Sequence, residues 1–167
     1  AYLESVSGAA GTTDLAELCH DWHAEMHRLE ERVRGAVILL GPAERADVQF
    51  ALPIARHMGA WDIGQTVVVK DGVVLAVEAV DGTNAAIRRA GGYAAGACVV
   101  EVAKPQQDPR FDVPAVGAGT LAALVDARAS VLAIQAGATV VLEREALLRG
   151  ADQHGIAVVG VMPEEGL

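Results

Sequence analysis

The sequence predicts an α/β protein: a mixed sheet that carries a β-hairpin, helices packed on that sheet, and a helical extension at the N-terminus. Three observations predict it. Thr66-Val67-Val68-Val69-Lys70 and Val73-Val74-Leu75-Ala76-Val77 are strand-like runs separated by Asp71-Gly72, a pair that favours a two-residue hairpin turn. From about residue 97 onward, short apolar runs alternate with helical patterns, which argues for parallel strand pairs. The 167 residues are 52% hydrophobic but only 4% aromatic, so the core must be built from Ala, Val, Leu and Ile.

The elements follow in order. Residues 1–12 are small and polar. Asp14 and Glu17 make a start resembling a capping box, and Leu15, Leu18, Trp22, Met26, Leu29 and Val33 then fall on one helical face, with Gly35 as a stop. Cys19, His23, His27 and Glu30 lie beside that face, at a spacing that can hold a transition metal; the plainer reading is a solvated flank with a core-edge cysteine. Ala36–Leu40 is a short apolar run, either a strand or the end of the first helix, closed by Gly41-Pro42. A helix over about 43–58 runs through Val48, Leu52, Ala55 and Met58. Pro53 inside it predicts a kink or two shorter helices. Thr83 is the expected N-cap of a helix reaching about Ala90, and Gly91-Gly92 breaks it. Strands are expected at 97–103, 130–134, 139–142 and 156–161, and helices at about 118–128 and 144–154. The chain divides into an N-terminal helical extension, 1–41, and an α/β domain, 42–167.

A net charge of −9 argues against general binding to nucleic acid, which needs clustered Lys and Arg. It leaves room for a nucleotide, for which a local basic patch or a helix N-terminus suffices. No apolar run approaches the roughly 18 residues of a membrane span, and Ala1-Tyr2-Leu3-Glu4-Ser5 has no signal-peptide character. Cys19 and Cys98 are far apart and are expected to be reduced cytosolic thiols.

Lys104-Pro105-Gln106-Gln107-Asp108-Pro109-Arg110-Phe111-Asp112-Val113-Pro114 is the most informative stretch. It holds three of the six prolines, two acids and two bases. Proline lacks the amide a sheet ladder needs, so the stretch reads as a strand end turning into an extended segment. Charged groups on a stiff loop at a strand end are a common way to build a site; the plainer reading is a solvated surface loop.

Three motifs recur here in one order: Asp62-Ile63-Gly64-Gln65-x-Val67-Val68-Val69; Leu75-Ala76-Val77-Glu78-Ala79-x-x-Gly82-Thr83; and Lys104-Pro105-x-Gln107-x-x-Arg110-x-Asp112-x-Pro114-x-x-Gly117. Together, from about Pro42 to Val161, they resemble the C-terminal domain of the LpxI-type UDP-2,3-diacylglucosamine pyrophosphatases. The resemblance implies hydrolysis of UDP-2,3-diacylglucosamine to UMP and 2,3-diacylglucosamine 1-phosphate in lipid A biosynthesis, with Mg²⁺ or another divalent cation. It implies a cytoplasmic bacterial protein, a homo-oligomer, and contact with the inner membrane surface. Two departures stand out. Residues 1–41 match nothing in the family's N-terminal Rossmann-like domain, and Asn84 follows Gly-Thr where the family commonly has an acid.

Diphosphate cleavage needs neutralised phosphates, a positioned water and a route for its proton. By the resemblance, Asp112 would hold a metal or orient water, and Arg110 would pair with a phosphate through its planar fork. If the segment is extended, both point to one side. Lys104 and Gln107 would contact the diphosphate. Asp62, Gln65, Thr83 and Asn84 would complete the substrate site, with Glu78 as a second metal ligand, provided the hairpin ends lie beside the central segment. The competing readings are a non-catalytic module for a nucleotide-sugar or acyl-sugar, and an oligomer-forming module.

Overall fold

The computed structural model describes residues 40–106 and 113–162. Helix α1 (Pro42–Ala60) leads into a hairpin of β1 (Thr66–Lys70) and β2 (Val73–Val77). Then come α2 (Thr83–Gly91), β3 (Cys98–Glu101), β4 (Ala115–Val116), α3 (Ala118–Asp126), β5 (Val131–Gln135), β6 (Val140–Val141), α4 (Arg144–Gln153) and β7 (Ala157–Val161). The expected N-terminal helical extension, with Cys19, His23, His27 and Glu30, lies outside the described residues.

Five strands form one sheet in the order β2-β1-β3-β5-β7. β1 is antiparallel to both neighbours, and β3, β5 and β7 are parallel. The sheet is therefore mixed, as the hairpin implied. β4 and β6 form a separate parallel pair.

Side chains alternate across the sheet, and the two faces have separate cores. Val67, Val69, Cys98, Val100, Val131, Ala133 and Val159 face α1, through Val48, Ala51, Leu52, Ala55 and Met58. Val68, Val99, Leu132 and Ile134 face α2, α3 and α4, through Ile87, Ala123, Leu124, Leu147 and Ala151. Small residues let these layers close up. A Cβ on Gly91 would sit 2.5 Å from the Ala127 Cα, so the end of α2 and the residue closing α3 meet backbone against backbone at that point.

Two local expectations are narrowed or corrected: of the kink or two shorter helices expected at Pro53 the second is excluded, and the expected N-cap of α2 is replaced. Pro53 does not split the first described helix, which is continuous over 19 residues. The packing of five buried α1 side chains against the sheet outweighs one missing helical hydrogen bond. Thr83 is not the N-cap of α2: Gly82 takes that position at φ 79°, and Thr83 opens the helix. Its hydroxyl is used elsewhere, as described below.

The hairpin turn is held from outside. Asp71 and Gly72 both have positive φ, 51° and 73°, the conformation of a type I′ turn. Their amides donate to the buried Asp47 carboxylate on α1, at 2.9 and 2.7 Å. Asp47→Ala is expected to cost about 2–3 kcal/mol, because charged hydrogen bonds are lost and two amides lose their acceptors. Denaturant unfolding checks this; a midpoint equal to the parent's would show that the turn chemistry alone holds the hairpin.

Candidate functional site

The site is built at the carboxyl ends of β3 and β5, where the antiparallel β1 contributes its first residues. Open α/β sheets place ligands at this edge. Helices α2, α3 and α4 pack on one face of the sheet, and a helix N-terminus carries amides without intrahelical partners. The α2 and α3 starts are close together: a Cβ on Gly119 would lie 3.3 Å from the Asn84 Nδ2.

A hydrogen-bonded chain runs between the hairpin and α2. The half-buried Glu78, just past β2, accepts from the Gln65 amide on Oε2 and from the Thr83 hydroxyl on Oε1, both at 3.0 Å. Because Thr83 spends its proton on Glu78, it accepts from the Thr66 hydroxyl, 3.3 Å away. The Glu78 amide donates to the Thr66 carbonyl at 2.8 Å. Arg89 pairs with Asp81 and donates to the Val77 carbonyl at 2.7 Å, tying the loop after β2 to α2. The Arg89 hydrogen bond holds the Asp81 carboxyl below its usual range.

Gly64 makes this closeness possible. A Cβ there would fall 2.2 Å from the Glu78 carbonyl oxygen and 2.7 Å from its carbon. Only hydrogen fits in that space, so the turn before β1 can press against the backbone after β2.

Beneath the chain sits Glu101, the last residue of β3, opposite Thr66 in register. It is 1% exposed, and its Oε2 has no hydrogen-bond partner among the described residues. Burial, with the Glu78 charge as a smaller cause, pushes its pKa up to about 8. The Asn84 Oδ1 is likewise buried without a partner among the described residues.

The chain leaving β3 is fastened on both sides. The Val102 amide donates to the Gln65 carbonyl at 3.0 Å. The Ala103 amide donates to the Gln135 Oε1 at 3.0 Å. Lys104 Nζ donates to Asp62 Oδ1 at 2.7 Å, and the Gln106 Nε2 donates to the Gly59 carbonyl at 2.9 Å. Asp62 adopts a left-handed φ of 55°, which aspartate tolerates better than most residues.

The structure thus gathers Asp62, Gln65, Glu78, Thr83, Asn84 and Lys104 at one edge of the sheet. Gln107, Arg110 and Asp112 lie outside the described residues. The sequence reading missed Thr66, Glu101, Gln106 and Gln135. Only Glu101 carried a signal: an acid inside the run Cys98-Val99-Val100-Glu101-Val102. Among the described residues, no group of three or more His, Cys, Asp or Glu side chains is gathered to hold a metal ion. No described helix is long and apolar enough to cross a membrane.

Comparison with known proteins places the chain in a family. Residues 38–159 match the model of the LpxI C-terminal domain. The chain is 37% identical over 133 residues to the UDP-2,3-diacylglucosamine pyrophosphatase LpxI of Caulobacter vibrioides, an alignment covering 74% of this chain and 48% of that protein. The chain spans about half the length of this curated relative. With three motifs, a mixed α/β sheet and a match over most of its length, the chain belongs to the LpxI family, through that family's C-terminal domain.

Proposed function

We propose that this domain supplies the phosphate-facing part of a site that hydrolyses UDP-2,3-diacylglucosamine to UMP and 2,3-diacylglucosamine 1-phosphate. The observation that carries this reading is that Gln65, Glu78, Thr83 and Asn84 meet at the start of α2, while Lys104 and Asp62 pair at the same edge of the sheet beside the end of α1, in a chain of the LpxI family. Lys104 and the helix amides would neutralise the diphosphate. Arg110 would take a phosphate oxygen, and Gln107 would bond the same group. Asp112 would position the attacking water or a divalent cation.

The side chains of Glu78, Thr66, Thr83 and Asn84 offer oxygens at this edge, a set that suits a hard ion such as Mg²⁺. Asp112, with Glu78, would hold it, and the ion would supply charge to the phosphates. Trp61, 73% exposed, and the exposed Ile63 flank Asp62 and offer apolar surface to an amphiphilic ligand or to the inner membrane surface. Cytoplasmic placement and self-association belong to the same proposal.

Asp112→Ala is the test. In the catalytic reading it lowers Mg²⁺-dependent UMP release at least 100-fold while the unfolding midpoint stays within about 1 kcal/mol of the parent. Normal turnover in the variant would sink the assignment. Asn84, an amide where the family commonly has an acid, favours a second reading as a nucleotide-sugar or acyl-sugar binding module. A parent chain that binds the substrate without releasing UMP selects that reading.

A further inference from the structure

We infer that Gln135, which ends β5, is a further contact residue for the anionic group of the ligand, presenting its Nε2 as a fixed donor beside Lys104. The inference rests on the reading of this edge as a diphosphate site. Gln135 reaches the position for a simple reason. Its backbone carbonyl is taken by the Ala138 amide, which turns the chain away from the sheet. The ladder between β3 and β5 ends at Glu101 and Ile134. The Ala103 amide, one step beyond, finds its acceptor in the Gln135 side chain instead, at 3.0 Å.

That bond also fixes the amide's orientation. An amide N–H must meet an oxygen, so Oε1 faces Ala103, and the two ends of the side chain are not interchangeable. The Nε2 end donates to nothing among the described residues. Gln135 is half-buried, so part of its surface still opens to a ligand. The residue after its partner is Lys104, whose Nζ is held by Asp62. A neutral donor on a side chain pinned to the residue that precedes a lysine is an arrangement suited to phosphate oxygens.

The connection from β5 to β6 supports the same geometry from its far end. The Val140 amide donates to the Pro114 carbonyl at 2.8 Å, and the Leu142 amide to the Val116 carbonyl at 2.8 Å. One short connection therefore bonds Ala103 through Gln135 and Pro114 through Val140. It holds both flanks of the stretch carrying Lys104.

The experiment compares Gln135→Glu and Gln135→Met in the full chain. It measures inorganic pyrophosphate binding by calorimetry and Ala103 amide exchange by NMR. Glutamate keeps the acceptor for Ala103 but loses the Nε2 donor; methionine loses both without adding charge. The expected result is at least a tenfold weaker pyrophosphate affinity in both variants, with Ala103 still protected in Gln135→Glu. Retained affinity in Gln135→Glu and loss only in Gln135→Met would reduce Gln135 to a backbone support and overturn the inference. Loss only in Gln135→Glu would mean charge repulsion, and would overturn it equally. Equal affinity in all three chains does the same while leaving the diphosphate reading intact. A parent chain that binds no pyrophosphate removes that reading, and this inference with it.

Discussion

Replacing Gly64 with alanine is expected to destabilise the domain by about 3 kcal/mol and to detach Glu78 from Gln65 and Thr83. The added methyl would sit 2.2 Å from the Glu78 carbonyl oxygen, and that atom belongs to backbone, not to the end of a flexible side chain. Overpacking of this kind usually costs 1–3 kcal/mol, and here no single rotamer change relieves it. The turn before β1 or the backbone after β2 has to move. Either shift lengthens the 3.0 Å bond from the Gln65 amide to Glu78 and disturbs the Thr66–Thr83 contact. Denaturant unfolding measures the first effect and amide exchange at Gln65 the second. A variant with the parent's midpoint and a protected Gln65 amide would show that the two backbones separate freely.

Glu101→Gln is expected to make the protein more stable at pH 8 and above, and to flatten its stability below that. The unfolded carboxyl titrates near 4.5, whereas burial in the fold raises it to about 8. Between those values the folded state keeps a proton that the unfolded state has released. Stability therefore falls as pH rises from 4.5 towards 8 and levels off beyond it. The loss is on the order of a few kcal/mol. Glutamine resembles the protonated acid in shape and cannot ionise, so the variant should lack this slope. Thermal unfolding of parent and variant from pH 5 to pH 9 reads it directly. Identical pH profiles would mean that Glu101 is not neutral in the fold.

The sheet was legible because its signals are local. Asp71-Gly72 between β-branched runs gave the hairpin, and the Val-rich runs gave β3, β5 and β7 to within two residues at their ends. Boundaries shifted where tertiary contacts decided them. β3 stops at Glu101, short of 103, because Val102 and Ala103 bond to Gln65 and to the Gln135 side chain outside the regular ladder. Pro53 does not divide α1 into two helices for a related reason: a proline's helical penalty is local, while the packing that overrides it comes from residues 67–69, 98–102 and 131–133.

The site was half legible. Asp62, Gln65, Glu78, Thr83 and Lys104 stood in motifs, and the fold brings their elements to one edge. Thr66, Gln135 and Gln106 carried no such mark. Each acts through a partner more than twelve residues away, and nothing in its own neighbourhood specifies that partner.

Cys98 has a consequence of its own. It sits on the central strand, fully buried, with its Sγ 3.7 Å from the Glu44 carbonyl, and burial pushes the thiol up to about 12. Thiol reagents attack the thiolate, so the folded chain offers them neither access nor the reactive form. β1 and β5 flank it on either side and α1 covers it, so no edge can fray to reach it. With Cys19 changed to serine, alkylation of Cys98 becomes a clock for whole-sheet opening, reporting kinetic persistence without a spectroscopic label.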